Sequence, residues 1–363
     1  MDLDNLLQIK MLDKSNMMGS ITALASQCQQ VWNDLKSFNP PAKYQKISKI
    51  VVAGMGGSAL GAHILKSLYR AELKVSIEIV NDYHLPAYTN KDTLVFLLSY
   101  SGTTEEILSC AKEAKKIGAK VLVVAAGGEL AKLAAKEKWP AYIFEPKNNP
   151  CHSPRMGLGY SLFSLMVLFG KLKLIKFNDR EAQKVIKTVK RYNELWRVQK
   201  VIDENAAKLL AKQLINKVPF FLGSGMLAGN LHTLSNQINE NAKVFAGWFL
   251  IPEANHHLME GLTFPDFVKK DLALVFFESL LDEEKIQKRT VITKEVAKKS
   301  GMTVAAYQLQ ETDWLGQSFE MLVLGGYLGF YLAMIYVIDP TPIPAVDYFK
   351  QKGVFLSQSW QLY

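Results

Sequence analysis

The 363-residue chain is 49% hydrophobic and 21% charged, which excludes a disordered or fibrous protein and leaves room for two ordinary domains. Its net charge of +9 is spread along helices (Lys112, Lys115, Lys116, Lys184, Lys187, Lys190) without a basic run interleaved with aromatics. That reads as a solvated surface with at most weak steering of an anionic substrate, and it argues against nucleic acid. Three widely spaced cysteines (Cys28, Cys110, Cys151) form no CxxC pair, which fits a reducing cytoplasm and argues against a disulfide framework or a zinc site.

Residues 1–46 read as a helical lead-in of mixed polarity (Ile21, Leu24, Ala25, Val31, Trp32, Leu35) expected to wrap a neighbour. Acids at Asp2 and Asp4 do not suit a signal peptide. Residues 47–155 alternate strands and helices: Ile50–Ala53, a helix from Ala59, Val75–Val80, Leu94–Leu98, a helix to Ile117, Val121–Ala125, a helix near Leu130–Lys136 and Ala141–Phe144. These strands are continuous apolar runs, so helices should cover both faces of a doubly wound parallel sheet. Asn148 to Arg155 breaks the pattern as a boundary loop. A helical bridge over 156–216 follows, a buried helix (Leu158 to Leu172) and then amphipathic, charged helices from 178. Residues 217–363 open a second α/β series with strands at Pro219–Leu222, Leu272–Phe277 and Thr303–Tyr307. The uncharged run Met321 to Ile338 is near the lower limit for a bilayer span. It contains three glycines and three tyrosines and has no basic flank, so a buried helix between sheet and dimer partner is predicted.

Two turns carry the chemistry. Ser99-Tyr100-Ser101-Gly102-Thr103-Thr104 joins an apolar strand to a helix, setting three hydroxyls around free N–H groups where the helix dipole is positive. Gly54-Met55-Gly56-Gly57-Ser58 offers a second set after an earlier strand. Such places bind phosphate. Gly54-x-Gly56-x-x-Ala59, with Asp82 downstream, also fits a loose dinucleotide pattern. Against that reading, the hydroxyl turn would have no task, and Asp82 beside Leu85-Pro86 reads as a surface turn. One hydroxyl suffices to cap a helix; three in six residues favour a ligand. The histidines show no HxH or HExxH spacing, so no metal is expected.

Strand-GMGGS-helix followed by strand-SYSGTTEE-helix resembles the sugar isomerase (SIS) domain, which binds phosphosugars. Gln237 to Asn241, Pro252 to His257, Ser153-Pro154-Arg155 and Asp339-Pro340-Thr341-Pro342 to Lys350, in that joint arrangement, resemble the bifunctional phosphoglucose/phosphomannose isomerases over about residues 48 to 352. The resemblance implies two SIS-like α-β-α domains in tandem. It also implies a cytoplasmic, cofactor-free and metal-independent homodimer of glycolysis and gluconeogenesis. The enzyme would interconvert glucose 6-phosphate and fructose 6-phosphate, and mannose 6-phosphate with the same ketose, through an enediol. By the same similarity Glu240 is the base and His256, donated by the partner subunit, opens the ring. Arg155 stabilises the enediolate and Lys350 assists ring opening. Gly57, Ser58, Ser99, Ser101 and Thr104 hold the phosphate, and His257 is a core or interface histidine. The alternative to an enzyme is an SIS sugar-phosphate sensor, although residues 1–46 lack a DNA-binding helix-turn-helix.

Overall fold

Three helices open the chain, α1 (Leu6–Leu12), α2 (Met17–Thr22) and α3 (Leu24–Leu35), in a computed structural model that describes residues 2–359. Met1 and 360–363, at the edges of the expected lead-in and second domain, lie outside the described residues. The first sheet follows: β1 (Lys49–Gly54), α4 (Gly57–Leu68), β2 (Ser76–Val80), β3 (Thr93–Ser99), α5 (Glu105–Ile117), β4 (Lys120–Ala125), α6 (Gly128–Glu137) and β5 (Ala141–Ile143). Its strands are parallel in the order β2-β1-β3-β4-β5. Every residue of β3 is buried, as a strand covered on both faces must be. Val51, Val95 and Val121 pack with Ile107, Cys110 and Ala114 of α5, while Val52, Phe96 and Leu122 join the core on the other face. The strand order reverses at β1, so the turns after β1 and β3 open onto the crevice where ligands of such sheets sit.

A π-helical turn (Gly159–Phe163) runs into α7 (Ser164–Lys171), and α8 (Asp179–Trp196) and α9 (Ala206–Gln213) complete the bridge. A capping box between Asn178 and Glu181 starts α8. The lead-in packs on its own chain, α3 against α7, α8 and the π turn, so the neighbour it wraps is the bridge.

The second sheet comprises β6 (Val218–Ser224), α10 (Ala228–Gln237), β7 (Gly247–Ile251), α11 (Phe267–Asp271), β8 (Leu272–Glu278), α12 (Glu284–Lys299) and β9 (Thr303–Gln308), with α13 (Trp314–Ile335) and α14 (Pro344–Ser359) closing the chain. Its strands are parallel in the order β7-β6-β8-β9. No strand is expected from the sequence at β7. It is a half-exposed edge strand whose apolar run ends at once in Pro252. Helix α13 is long and apolar enough to cross a membrane, yet 94% of its most apolar window is buried inside the protein. It packs against α8, α9 and α10, which corrects the expectation that a dimer partner covers it. The two sheets meet through α4 and α10, where the His63 and His232 rings sit edge to face with centroids 4.4 Å apart.

Candidate active site

The hydroxyl turn is a stitched structure. Ser99 Oγ accepts from the Gly102 amide at 3.0 Å and pairs with Thr104 Oγ1 at 2.8 Å, and Ser101 Oγ accepts from the Thr103 amide at 3.2 Å. Gly102 is left-handed (φ 71°), and its carbonyl accepts from Leu130 N at 2.9 Å. The helix dipole and the amides of α5's first turn remain available, because Thr104 supplies no side-chain cap. Nor does Gly56 cap α4. Ser58 Oγ, at the start of α4, accepts from the Tyr100 amide at 3.0 Å and so ties the two turns together. Gly57, Ser58, Ser99, Tyr100, Pro154 and Ser161 line a common cleft. Asp82 stands exposed and accepts from the Tyr83 amide, as a turn residue does.

A Cβ on Gly57 would lie 2.8 Å from both the nitrogen and the Cα of Arg155, so the glycine turn rests directly on that backbone. Arg155 is in a 3-10 turn (Pro154–Met156) and is 2% exposed, far from a surface arginine. Its Nε donates to Asn241 Oδ1 at 2.6 Å, and its Nη2 donates to the carbonyls of Pro340 at 3.2 Å and Thr341 at 2.9 Å. Nη1 faces Glu240 Oε2 at 3.6 Å. The fork therefore joins the Glu240 segment to the stretch of chain before α14, while the Arg155 backbone supports the glycine turn. Burial disfavours its charge, but Glu240 and Asp347 favour it, and a guanidinium stays protonated.

Glu240 lies in a π-helical segment (Ile238–Ala242) that extends α10, a backbone form often found at functional sites. Burial raises its pKa, while Arg155, then Lys350 and Lys243, draw it back. The net effect is a raised pKa, the direction that suits a proton acceptor. Lys350 is exposed on α14, close enough for its charge to act on Glu240.

The structure brings together Gly57, Ser58, Ser99, Ser101 and Thr104 as one pair of turns, and Arg155, Glu240 and Lys350 as one charged cluster beside it. His256 is not among them. It stands exposed on a 3-10 turn (Glu253–His256) after β7, and among the described residues it bonds to none of the cluster. His257 is not a core residue: it is exposed, with Nε2 2.8 Å from Glu253 Oε2. Three members of the site went unread in the sequence as site residues: Asn241, which holds Arg155; Thr341, whose hydroxyl is buried without a partner; and Lys243, whose Nζ reaches Pro340. All three flank the residues already singled out, and that adjacency was the available signal. No group of three or more His, Cys, Asp or Glu side chains that could hold a metal occurs among the described residues.

Residues 43–169 match the SIS domain family model, and residues 203–352 match that of the bacterial phospho-glucose isomerase C-terminal SIS domain. The chain is 33% identical to the bifunctional phosphoglucose/phosphomannose isomerase of Caldicellulosiruptor bescii, an alignment covering 93% of this chain and 98% of that one. It is 28% identical to the protein of the same description from Aquifex aeolicus, over 89% and 98% of the two chains. Among solved structures, a hypothetical protein from Thermus thermophilus superposes with a TM-score of 0.71 at 18% identity, over 95% of this chain and 91% of that one. A putative phosphosugar isomerase from Clostridium difficile gives 0.69 at 14% identity, over 90% and 95%. These two likenesses speak for the fold alone.

Proposed function

Because the chain belongs to the bifunctional phosphoglucose/phosphomannose isomerase family and is therefore a sugar-phosphate isomerase, we propose that it interconverts glucose 6-phosphate and mannose 6-phosphate with fructose 6-phosphate through an enediol. The observation that carries this reading is the Arg155–Glu240 pair at 3.6 Å, with Lys350 nearby, abutting the Ser58 and Ser99 turns.

The 6-phosphate enters the crevice above β1 and β3, where the amides of Gly57 and α5's first turn and the hydroxyls of Ser58, Ser99, Ser101 and Thr104 receive it. Binding there orients carbons 1 and 2 towards Glu240, so remote binding energy serves the reacting end. In the open-chain aldose, Glu240 takes the proton from carbon 2. The charge that develops on the carbonyl oxygen meets the buried guanidinium of Arg155. The hydroxyl proton on the oxygen of carbon 2 passes to the oxygen of carbon 1, and the same carboxyl returns its proton to carbon 1, giving the ketose. The enediol is shared by glucose and mannose 6-phosphates, which differ in the face of carbon 2 that loses the proton. Lys350 and a histidine serve ring opening. We read His256, which stands apart from the cluster, as acting in the site of a second copy, in a homodimer with shared sites. Phe245, Phe264 and Phe267, exposed and close to that histidine in the chain, suit such a contact. The place of action is the cytoplasm.

The test is a coupled assay on purified, EDTA-treated protein. Fructose 6-phosphate is supplied and glucose 6-phosphate is followed through its dehydrogenase; mannose 6-phosphate is then supplied in its place, with no added isomerase. Turnover of both supports the proposal. Failure to turn over either would end it and favour a phosphosugar sensor.

A further inference from the structure

We propose that Lys243 is a positioning residue for this reaction: its ammonium fastens the strap Asp339-Pro340-Thr341 to the Glu240 segment and so sets where Arg155 and Lys350 stand. The inference rests on the isomerase reading given above. Lys243 directly follows the π-helical segment and is left-handed (φ 54°, ψ 31°), a conformation uncommon for a residue with a side chain. From there its Nζ donates to three carbonyls: Asn241 at 3.3 Å, Asp339 at 3.2 Å and Pro340 at 2.8 Å. Two of the three belong to the strap between α13 and α14. The Pro340 carbonyl accepts from both Lys243 Nζ and Arg155 Nη2. One backbone oxygen thus joins the residue behind the base to the enediolate-stabilising cation.

The consequence follows from the chain's course. Helix α13 is buried and fixed, and α14 carries Lys350 as an exposed side chain. The strap alone connects the two, so its anchorage governs how Lys350 is presented to Glu240. Arg155 holds the strap from one side, through Pro340 and Thr341, and Lys243 holds it from the other, through Asp339 and Pro340. Three charged groups face the ammonium: Arg155 from the 3-10 turn, Glu240 from the π segment and Asp339 from the strap. Burial and then Arg155 push its pKa down, to about 8, against the pull of Asp339 and Glu240. The clamp therefore loses its charge just above neutral pH.

The experiment compares wild type, K243M and K243R by kcat and KM for fructose 6-phosphate from pH 6.5 to 9.5, and by hydrogen exchange of the backbone. K243M is expected to lower kcat about tenfold or more while KM moves less than threefold, since misplacement of catalytic groups acts on the reacting end rather than on the phosphate. K243R should recover most of kcat. It should also remove the wild-type fall in kcat above pH 8, because a guanidinium keeps its charge there. Exchange in K243M should rise over residues 338–350 and stay unchanged over 93–117. A lysine that merely closed the helix would leave kcat within twofold and the pH profile in place, and that result overturns the inference while leaving the isomerase reading intact. Should the wild type convert no hexose phosphate, the isomerase reading fails and the exchange data decide the clamp alone; unchanged exchange over 338–350 overturns it.

Discussion

Substituting Gly102 by alanine tests whether the stitched turn is the phosphate cradle. A Cβ at this position would lie 1.8 Å from the Gly127 carbonyl oxygen, about 1.2 Å inside the 3.0 Å below which such contacts essentially never occur. Something must move by about that distance. Gly127 lies in the β4–α6 turn, and the Leu130 amide in the first turn of α6 bonds to the Gly102 carbonyl, so the clash and that bond are disturbed together. A shift of that size removes one or two N–H contacts to the phosphate, and hydrogen bonds to a charged group contribute about 1.5–3 kcal/mol each. Taking ~3 kcal/mol in all, KM for fructose 6-phosphate rises about a hundredfold. Backbone strain is separated by a control. Gly118 ends α5 with φ 74°, close to the 71° of Gly102, but a Cβ there meets nothing within 4 Å. G118A should lose about 1 kcal/mol of stability and keep its KM, because a left-handed residue with a Cβ costs that much wherever it sits. Steady-state kinetics and thermal melts of the two variants read both quantities. If folded G102A kept its KM within threefold of wild type, the turn would not be where the phosphate sits.

Other consequences can be checked in the same way. E240Q should lose 10²- to 10⁴-fold in kcat with KM little changed, as removal of a proton acceptor does, and the wild-type acid limb of kcat/KM should lie above the usual carboxylate range, because burial raises the Glu240 pKa. Mixing inactive E240Q with inactive H256A under conditions of subunit exchange should restore activity, since a mixed dimer would contain one intact site; no recovery would place His256 in the same subunit's site or outside catalysis. Lys208 is wholly buried and its Nζ donates to Asp4 Oδ1, Val198 O and Lys200 O; K208M should cost about 3 kcal/mol in chemical denaturation, because it strands these acceptors. Burial and then the neighbouring His232 lower the His63 pKa to about 4, so the unfolded chain binds the extra proton between about pH 6.5 and 4 and stability falls as pH drops through that window; H63F should flatten that part of the melting curve against pH.

Much of the fold was legible because burial on both faces leaves a local mark. Runs such as Leu94–Leu98 and Val121–Ala125 are apolar without alternation, and each became a central strand. β7 (Gly247–Ile251) escaped although its run is apolar, because it is short and meets Pro252 at once. The turns after β1 and β3 were readable as strand-to-helix turns for a similar reason, being local in sequence. Arg155 was harder. Its neighbours in the chain say boundary loop, while its burial comes from Asn241, 86 residues on, and from Pro340 and Thr341, 185 and 186 residues on. No pattern within a loop records such contacts; only the resemblance supplied its role. Lys243 shows the same limit, since an exposed, charged residue after a polar segment gives no hint of a side chain turned back onto three carbonyls.

The two sheets share a topology but only one could keep the anion site, and the divergence explains where the chemistry sits. From the last residue of β3 the chain reads Ser99-Tyr100-Ser101-Gly102-Thr103-Thr104; from the last residue of β8 the corresponding stretch reads Glu278-Ser279-Leu280-Leu281-Asp282-Glu283, with Glu278 paired to Lys294 where the first unit has Ser99. The Ser279 hydroxyl is already committed, donating to Gln317 Oε1 at 2.6 Å and accepting from the Leu281 amide at 3.0 Å. The turn then carries no glycine and no second hydroxyl before Asp282, Glu283 and Glu284, so the set of small and hydroxyl residues found after β3 is missing. A phosphate has no reason to bind there. Freed from that task, the second unit turns α10 towards the first, and the π-helical extension at its end carries Glu240 to Arg155. On the proposed reading the phosphate belongs to one copy of the fold and the base to the other. In that arrangement α4–α10 packing sets the distance between substrate anchor and reacting carbons, so a volume change at that contact should alter kcat before it alters KM.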